Sequence, residues 1–281
     1  MDAAMKWYTC CNEAALEAGG ETLIAAVESC LRSTSLKPHL VYDGPDNALL
    51  SYFRDRGVVV ILHRLSFSAE LDRHRGIAAI NYNWLIGNAL RFDIPKIEKD
   101  DQFILYTDTD VVFHQDIELG GLSAPLAAVK EIIIQGDVMH EADRAFNAGV
   151  MVMNVVFMRS LYDIFRQSLI DIASGKLVNP WYDQGVLNSI CQGLWLPLPQ
   201  NLNCRPFYGC EGSPTISHFQ FLKPHMITGR SELVDPRPRD EALLRRGAPA
   251  YATLRQEVID LVTPQARAAL LSACPTARLS A

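Results

Sequence analysis

The chain has 281 residues, 49% of them hydrophobic and 21% charged, which allows a sizeable core and argues against disorder. Its net charge of −6 argues against a nucleic-acid or anionic-membrane surface, and its seven cysteines contain no C-x-x-C pair. With no secretory leader and no apolar run long enough to cross a bilayer, the sequence predicts a cytoplasmic protein with mostly reduced thiols, soluble or peripherally bound to a membrane.

Strand-like and helix-like segments alternate in the first third of the chain. Strands are predicted at 6–11, 39–42 and 58–62, helices at 21–32 and 47–56, and a polar loop at 12–20. This alternation is typical of a parallel sheet with helices on its faces. No glycine-rich phosphate-binding motif follows the first strand, so neither a dinucleotide-binding fold nor a P-loop is predicted.

The middle of the chain continues the pattern with longer elements. An exposed loop at 66–75 precedes a helix at 76–92, which Pro95 is expected to close. The later segments, in chain order, are strands at 103–106, 128–135, 150–154, 194–198 and 216–221, helices at 155–173 and from 183, and a polar loop at 140–144. The overall prediction is therefore an α/β fold around a central, mostly parallel sheet.

The last fifty residues differ in composition from the rest. Beyond 230 the chain becomes charged and proline-rich, and helical spacing then covers 251–274 with a break at Pro264. We therefore predict one domain at 1–230 and a small helical C-terminal appendage at 231–281. Core packing is the default for its apolar face, with dimerisation or membrane contact as alternatives.

Two aspartates follow the apolar strand at 103–106. Asp108 and Asp110 flank Thr109, at the end of a strand where open α/β sheets place their ligands. Two unpaired carboxylates buried together would be very costly, so a cation is expected between them. Carboxylate oxygens suit Mg²⁺ or Mn²⁺, which commonly bridges protein carboxylates to substrate phosphates. An ordinary turn is the alternative, but the position after a buried strand favours a metal site.

Three further segments carry polar residues of possible chemical use. They are the Asn147-Ala148-Gly149 corner, the Asp183-Gln184 pair, and His218 with Lys223. Taken singly, each has a structural explanation: a tight turn, a helix cap and a core histidine. Their order along the chain is what makes them informative.

Together with the aspartate pair, these segments resemble the retaining glycosyltransferases of family 8, which include glycogenin and bacterial lipopolysaccharide galactosyl- and glucosyltransferases. The matching stretches are YTDTDVVF (106–113), FNAGVMVMN (146–154), DQGVLN (183–188) and HFQFLKP (218–224), with NALRFDIP (88–95) similar to the segment before the aspartates. The resemblance spans roughly 6–224. It implies a GT-A fold, a single α/β domain that binds a nucleotide-sugar.

The resemblance also implies a role for each matching residue. Asp108, Asp110 and His218 would bind Mn²⁺, or Mg²⁺, which bridges the donor diphosphate. The nucleotide-sugar itself would be held by Thr9, Asn12, Arg91, Asp108, Thr109, Asn147, Ala148, Gly149 and Lys223. As catalytic residues, Asp183 would hydrogen-bond the sugar hydroxyls and Gln184 would lie beside the anomeric carbon. The family's usual H-x-x-G-x-x-K-P is here one residue shorter and has no glycine.

The implied reaction is transfer of a hexose from UDP-galactose or UDP-glucose to a hydroxyl of a carbohydrate or glycolipid acceptor, by analogy in bacterial polysaccharide biosynthesis. An amide is a poor nucleophile, so Gln184 favours front-face transfer with retention over a covalent glycosyl-enzyme. Two alternatives remain open: a metal-dependent nucleotidyltransferase or phosphohydrolase that uses the same aspartates, and a non-catalytic scaffold that binds a sugar nucleotide.

Overall fold

The structure is a computed structural model that describes residues 4–77, 81–119, 123–135, 138–179, 182–206, 209, 212–220 and 241–280. The strands are β1 (Lys6–Asn12), β2 (Lys37–Asp43), β3 (Val59–Leu62), β4 (Phe103–Thr107), β5 (Val111–Phe113), β6 (Leu126–Gln135), β7 (Val138–Asn154), β8 (Trp195–Leu198) and β9 (Ile216–His218). The helices are α1 (Glu13–Ser33), α2 (Ala48–Asp55), α3 (Ser68–Asp72), α4 (Tyr82–Ala89), α5 (Ile94–Ile97), α6 (Val155–Ser160), α7 (Tyr162–Ala173), α8 (Tyr182–Ile190), α9 (Glu241–Leu261) and α10 (Pro264–Ala273). Short 3₁₀ turns occur at Leu90–Phe92 and Gln200–Asn203.

Seven strands form the central sheet, in the order β3-β2-β1-β4-β7-β6-β8. The first four run parallel to one another, β7 runs antiparallel to both of its neighbours, and β8 runs parallel to β6. The predicted mostly parallel sheet is therefore confirmed, with β7 as the reversed strand. A separate two-stranded ladder joins β5 to β9.

Both faces of the sheet are buried, because side chains alternate between two apolar clusters. On β1, Trp7 packs in the cluster that contains α1 and α2, and Tyr8 in the cluster that contains α4 to α8. On β4, Leu105 packs in the first of these clusters and Tyr106 in the second. The run at 103–106 is apolar without alternation because neither side of this strand meets water.

The C-terminal helices pack on the same core. Tyr251 and Val258 of α9 and Leu270 of α10 are completely buried in the cluster that contains α1. A Cβ on Gly20 of α1 would lie 2.5 Å from Leu270, so the glycine allows the close approach of α10. The apolar face therefore covers the core, as expected by default, whereas the domain boundary at 230 lies outside the described residues and stays a prediction.

The predicted polar loop at 12–20 is wrong, because β1 continues directly into α1. Asn12 caps the helix by accepting a hydrogen bond from the N–H of Ala15 at 3.0 Å, which satisfies one free donor of the first turn. The two glycines that suggested a loop are accommodated by a kink at Gly19 and by the packing at Gly20.

The loop predicted at 140–144 is also wrong, because these residues belong to β7. They pair with the outer part of β6, for example Glu141 opposite Ile132. An antiparallel pair can keep one side in water, so polar side chains did not prevent strand formation.

Several other predictions differ in detail. The loop at 66–75 contains α3, the described part of the helix at 76–92 is α4 followed by a 3₁₀ turn, and Pro95 lies inside α5 instead of ending a helix. The helix at 155–173 is divided into α6 and α7, and β9 ends at 218.

Five described cysteines are free, as expected, but Cys204 is disulfide-bonded. The spacing of the cysteines gave no signal for this bond. In the part of the chain that the structure describes, no helix has the length and apolarity needed to cross a membrane.

Glu98 fixes the turn that leads into β4. Its carboxylate accepts hydrogen bonds from the backbone N–H groups of Asp100 and Asp101, from the Tyr8 hydroxyl at 2.8 Å and from the Lys6 ammonium at 2.9 Å. Burial acts to raise the pKa of Glu98, but these donors outweigh it and lower the pKa to about 2. The ionised carboxylate therefore stabilises the folded state.

Glu98→Gln should lower the free energy of unfolding near neutral pH by on the order of 2 kcal/mol, because the charge-assisted hydrogen bonds are weakened. The folded pKa lies below the ordinary value, so this contribution is complete above about pH 4.5 and is lost as pH falls toward about 2. Urea unfolding at about pH 7 and about pH 3 measures both free energies. A deficit that is equal at the two pH values would contradict the assignment.

Candidate active site

The aspartate pair lies where β4 leaves the sheet. The N–H of Asp108 donates to the carbonyl of Gly149 on β7 at 2.9 Å, which extends the sheet by one residue beyond β4. Asp110 immediately precedes β5, and its carbonyl accepts from the N–H of Phe219 at 2.8 Å. Thr109 lies half-buried between them. Backbone hydrogen bonds on both sides therefore fix the positions of the two carboxylates.

His218 joins the aspartates because β9 pairs with β5, which places it opposite Val111. Its Nε2 atom lies 3.8 Å from Oδ2 of Asp108 and 3.5 Å from Oδ1 of Asp110. One ligand atom from each of the three residues lies within 4.8 Å of the others. Two carboxylates and an imidazole are a donor set that suits a divalent ion, so the three residues fit a metal centre.

Gly149 makes room for His218. A Cβ at this position would overlap Cε1 of His218 and lie 2.7 Å from its Nδ1 atom, so only glycine leaves space for the imidazole. The resemblance assigned Gly149 to the sugar. In the structure its lack of a side chain serves the packing of a metal-ligand candidate.

Arg91 is buried beside the aspartates. Its guanidinium donates to Oδ1 of Asp108 at 2.8 Å and to the Ala148 carbonyl at 3.0 Å, and it lies 3.2 Å from Oδ2 of Asp183. Burial acts to lower the pKa of Arg91, but Asp108 and Asp183 together raise it well above its ordinary value. The guanidinium is therefore a permanent positive charge that neutralises carboxylates from two segments.

Asp183 is placed by an unusual backbone conformation. It follows Tyr182, whose φ of 43° is the only left-handed value at a non-glycine residue among the described positions. Such conformations cost about 1–3 kcal/mol and cluster at functional sites. Burial raises the pKa of Asp183, and the nearby Arg91 opposes that shift. Asp183 lies inside the first turn of α8, which begins at Tyr182, and is ion-paired to Arg91.

The predicted Asn147-Ala148-Gly149 corner is an irregular part of β7. Met151 pairs with Ala128 and Phe146 pairs with Lys130, so four residues of β7 face one residue of β6. Such bulges redirect side chains and free backbone groups from the ladder. The freed N–H of Ala148 donates to Oε1 of Gln184 at 3.0 Å.

Gln184 is held by a carboxylate that the sequence analysis missed. Its Nε2 donates to Oε2 of Glu131 at 3.0 Å, and Nδ2 of Asn147 donates to the same oxygen at 3.0 Å. The other oxygen of Glu131 accepts from the buried Arg205. Glu131 was detectable only as one of two adjacent charged residues, with Lys130, in the otherwise apolar run at 126–134.

Asn203 is a second missed residue. Its Oδ1 lies 2.9 Å from Nδ1 of His218, and its Nδ2 donates to Oδ1 of Asn147 at 2.8 Å. No motif in the sequence marks Asn203, because its position follows from the 3₁₀ turn at 200–203.

Thr9 and Asn12 lie on β1, toward its carboxyl end. Oγ1 of Thr9 is buried and has no hydrogen-bond partner among the described residues, whereas Asn12 caps α1 and donates to the carbonyl of Asn83 at 2.8 Å. Asn12 also lines a cleft of about 390 Å³, with Asp43, Arg64, Asp72, Arg75 and Tyr82 among the other walls. Lys223 lies outside the described residues, so its predicted contact stays a prediction.

A mostly parallel sheet with an acidic cluster at the carboxyl end of a central strand defines the GT-A fold, as predicted. Comparison with known structures agrees. A galactosyltransferase, LgtC, in complex with donor and acceptor sugar analogues matches with a TM-score of 0.61 and 17% identity, over 90% of this chain and 95% of LgtC.

Two further structures give the same fold. GlyE from Streptococcus pneumoniae TIGR4 matches with a TM-score of 0.56 and 20% identity, over 92% of this chain and 64% of GlyE. Mouse xyloside xylosyltransferase 1 matches with a TM-score of 0.54 and 17% identity, over 78% of this chain and 98% of that chain. No protein-family model and no curated protein sequence matches the chain. At these identities the comparisons confirm the resemblance at the level of the fold.

Gly149→Ala should destabilise the protein by about 1–3 kcal/mol, because the added methyl overlaps the ring of His218. In a His218→Ala background the ring is absent, and the same substitution should cost much less. Urea unfolding of the wild type, both single variants and the double variant gives the coupling energy. Equal costs in the two backgrounds would show that the glycine does not accommodate the imidazole.

Proposed function

We propose that the chain is a metal-dependent, retaining glycosyltransferase that moves a hexose from UDP-galactose or UDP-glucose to a hydroxyl group of a carbohydrate or glycolipid. The observation that carries the proposal is the cluster of Asp108, Asp110 and His218 at the carboxyl end of β4 in a GT-A fold. The similar LgtC structure is that of a galactosyltransferase with donor and acceptor sugar analogues, which favours the same kind of reaction here.

The nucleoside of the donor is assigned to the cleft beside β1. Its volume of about 390 Å³ lies in the range of small-molecule sites, and it lies at the carboxyl ends of β1 and β2, where such sheets bind ligands. Asn12 lines this cleft and is the β1 group that we assign to this part of the donor. Thr9 is buried and is not among the cleft walls, so its contact with the nucleoside is proposed from the resemblance alone.

The diphosphate is assigned to the three-residue cluster, with Lys223 as the further cation. An Mn²⁺ ion held by Asp108, Asp110 and His218 would neutralise charge on the departing UDP, which is the main electrostatic demand of glycosyl transfer. Arg91 holds Asp108 through Oδ1, so Oδ2 stays directed toward His218. We assign Thr109, which lies between the two carboxylates in the sequence, to the same diphosphate.

The sugar is assigned to the surface formed by Asp183, Gln184 and the bulge at 147–149. Asp183 carries a carboxylate that can accept hydrogen bonds from sugar hydroxyls while Arg91 holds its other side. One of the similar structures, with a TM-score of 0.60 and 15% identity, is an active-site mutant of LgtC in which a glutamine is replaced by glutamate. By analogy with that glutamine of LgtC, we assign Gln184 to the active site of this chain.

The groups near Gln184 favour retention by front-face transfer. An amide is a poor nucleophile, and the carboxylate of Glu131 is engaged by donors from Arg205, Asn147 and Gln184. The backbone N–H of Ile132 is a fourth donor, and a carboxylate with four hydrogen bonds is a weakened nucleophile, so a double displacement through Glu131 is not favoured. The departing phosphate oxygen would then take the proton of the acceptor hydroxyl.

UDP release from a panel of UDP-sugars, with Mn²⁺ or with EDTA and no acceptor, tests the proposal. We expect slow, Mn²⁺-dependent hydrolysis of one UDP-sugar and a loss of about 100-fold or more in Asp110→Asn, because a ligand of the metal is weakened. The matched control is Asp163→Asn, an exposed aspartate of α7 that should hydrolyse at the wild-type rate.

The other outcomes separate the alternatives. Release of UMP instead of UDP would indicate a phosphohydrolase or nucleotidyltransferase. Binding of UDP and Mn²⁺ without turnover, even with glycan acceptors present, would indicate a scaffold. With a suitable acceptor, an inverted anomeric centre in the product would overturn the retaining mechanism.

A further inference from the structure

Glu131 lies at the centre of a buried hydrogen-bond network that connects two parts of the candidate site. It stands on β6 within the second of two shifts of register with β7, between Lys130 and Ile132, and its side chain reaches Asn147 in the bulge at 147–149. Four donors converge on its two oxygens: the side chains of Arg205, Asn147 and Gln184, and the backbone N–H of Ile132 at 2.9 Å. An ionised carboxylate has only acceptor atoms, so each of these partners must present a donor to it.

Arg205 holds Glu131 in this position. Its side chain is completely buried, and besides the carboxylate it donates to the carbonyl of Lys130 at 2.9 Å. A guanidinium has only donors, so it faces an acceptor at every contact. The orientation of Glu131 is thereby fixed from the side opposite to the bulge.

Because Glu131 can only accept hydrogen bonds, it determines the orientation of the Asn147 amide and, through it, that of the Asn203 amide. Asn147 presents Nδ2 to Glu131, so its Oδ1 faces Asn203 and accepts from Nδ2 of that residue at 2.8 Å. Asn203 must then present Oδ1 to His218, 2.9 Å from Nδ1. An acceptor at this distance requires the proton of the neutral imidazole to be on Nδ1.

Two backbone N–H groups impose the same orientations. The N–H of Gly149 donates to Oδ1 of Asn147 at 3.0 Å, and the N–H of Ala148 donates to Oε1 of Gln184 at 3.0 Å. Backbone N–H groups cannot exchange donor and acceptor roles. The amide groups of Asn147 and Gln184 therefore each have a single orientation that satisfies every contact.

We infer that Glu131, acting with the backbone N–H groups of Ala148 and Gly149, sets the polarity of this relay, and that it thereby holds His218 in the Nδ1–H tautomer and Gln184 in one amide orientation. Glu131 is a positioning residue, because it touches neither His218 nor the aspartates. The Nδ1–H tautomer leaves the lone pair of Nε2 directed at Asp108 and Asp110, as a metal ligand requires. The inference rests on the proposed function only in treating His218 as a metal ligand.

Glu131→Gln tests the relay, because an amide in place of the carboxylate must direct its NH₂ group at two donors, either Arg205 and the Ile132 N–H or Asn147 and Gln184. The imidazole nitrogens of ¹⁵N-histidine-labelled, metal-free protein report the tautomer directly, and His218→Gln identifies the signals of His218. We expect one Nδ1–H tautomer in the wild type and a mixture of tautomers in Glu131→Gln. Mn²⁺ binding, followed by electron paramagnetic resonance, should weaken about 10–100-fold.

Two further variants separate polarity from packing. Glu131→Asp keeps the two acceptor oxygens, so the Nδ1–H tautomer should persist and Mn²⁺ affinity should largely recover. Glu141→Gln removes a carboxylate of the same hairpin that pairs with Lys130 outside the relay, and it should match the wild type in both measurements. If Glu131→Gln fails to fold because Arg205 is left unpaired, Glu131→Gln combined with Arg205→Met serves as the test.

The inference would be overturned if Glu131→Gln kept a single Nδ1–H tautomer of His218 and bound Mn²⁺ with an affinity within about twofold of the wild type. A wild-type His218 protonated on Nε2 would also overturn it. The tautomer is measured without metal, donor or turnover. Failure of the proposed reaction is therefore distinguishable from failure of the relay.

Discussion

The ion pairs of Arg91 are the interaction on which the candidate site depends most. This one buried guanidinium contacts Asp108, Asp183 and the Ala148 carbonyl, which come from the end of β4, the start of α8 and the bulge of β7. Carboxylates buried without such a partner would destabilise the fold by several kcal/mol. The three segments therefore assemble around one positive charge, and Asp108 is left with one oxygen for Arg91 and the other directed toward His218.

The irregularity of β7 explains how a strand in the middle of a sheet can contribute binding groups. In a regular ladder the N–H groups of 147–149 would be used by a neighbouring strand. Because β6 provides only one residue opposite four, Ala148 can bind Gln184 and Gly149 can bind the side chain of Asn147. Glu131 lies in a second shift of register, between Lys130 and Ile132, and its side chain meets the same group. Two adjacent changes of register thus produce several contacts that would otherwise seem independent.

Much of the fold and part of the site could be predicted from the sequence. The apolar strand before Asp108 predicted its place at the carboxyl end of a buried strand, and the motif order led to His218. The loop predicted at 12–20 was avoidable, since Asn12 is a strong cap residue. Glu131 and Asn203 were not predictable, because their roles depend on a register shift and a 3₁₀ turn that pattern reasoning does not resolve.

The ladder of β5 and β9 links the candidate metal centre to the C-terminal helices. It contains only three residue pairs, yet it presents both Asp110 and His218 to the candidate metal centre. Helix α9 supports it from outside: Tyr251 donates to the Gln220 carbonyl at 3.0 Å and its ring lies 6.0 Å from that of Phe219. Helix α9 thus supports the candidate metal centre and is not a separable module, and the smallest fragment that keeps this centre would have to include it.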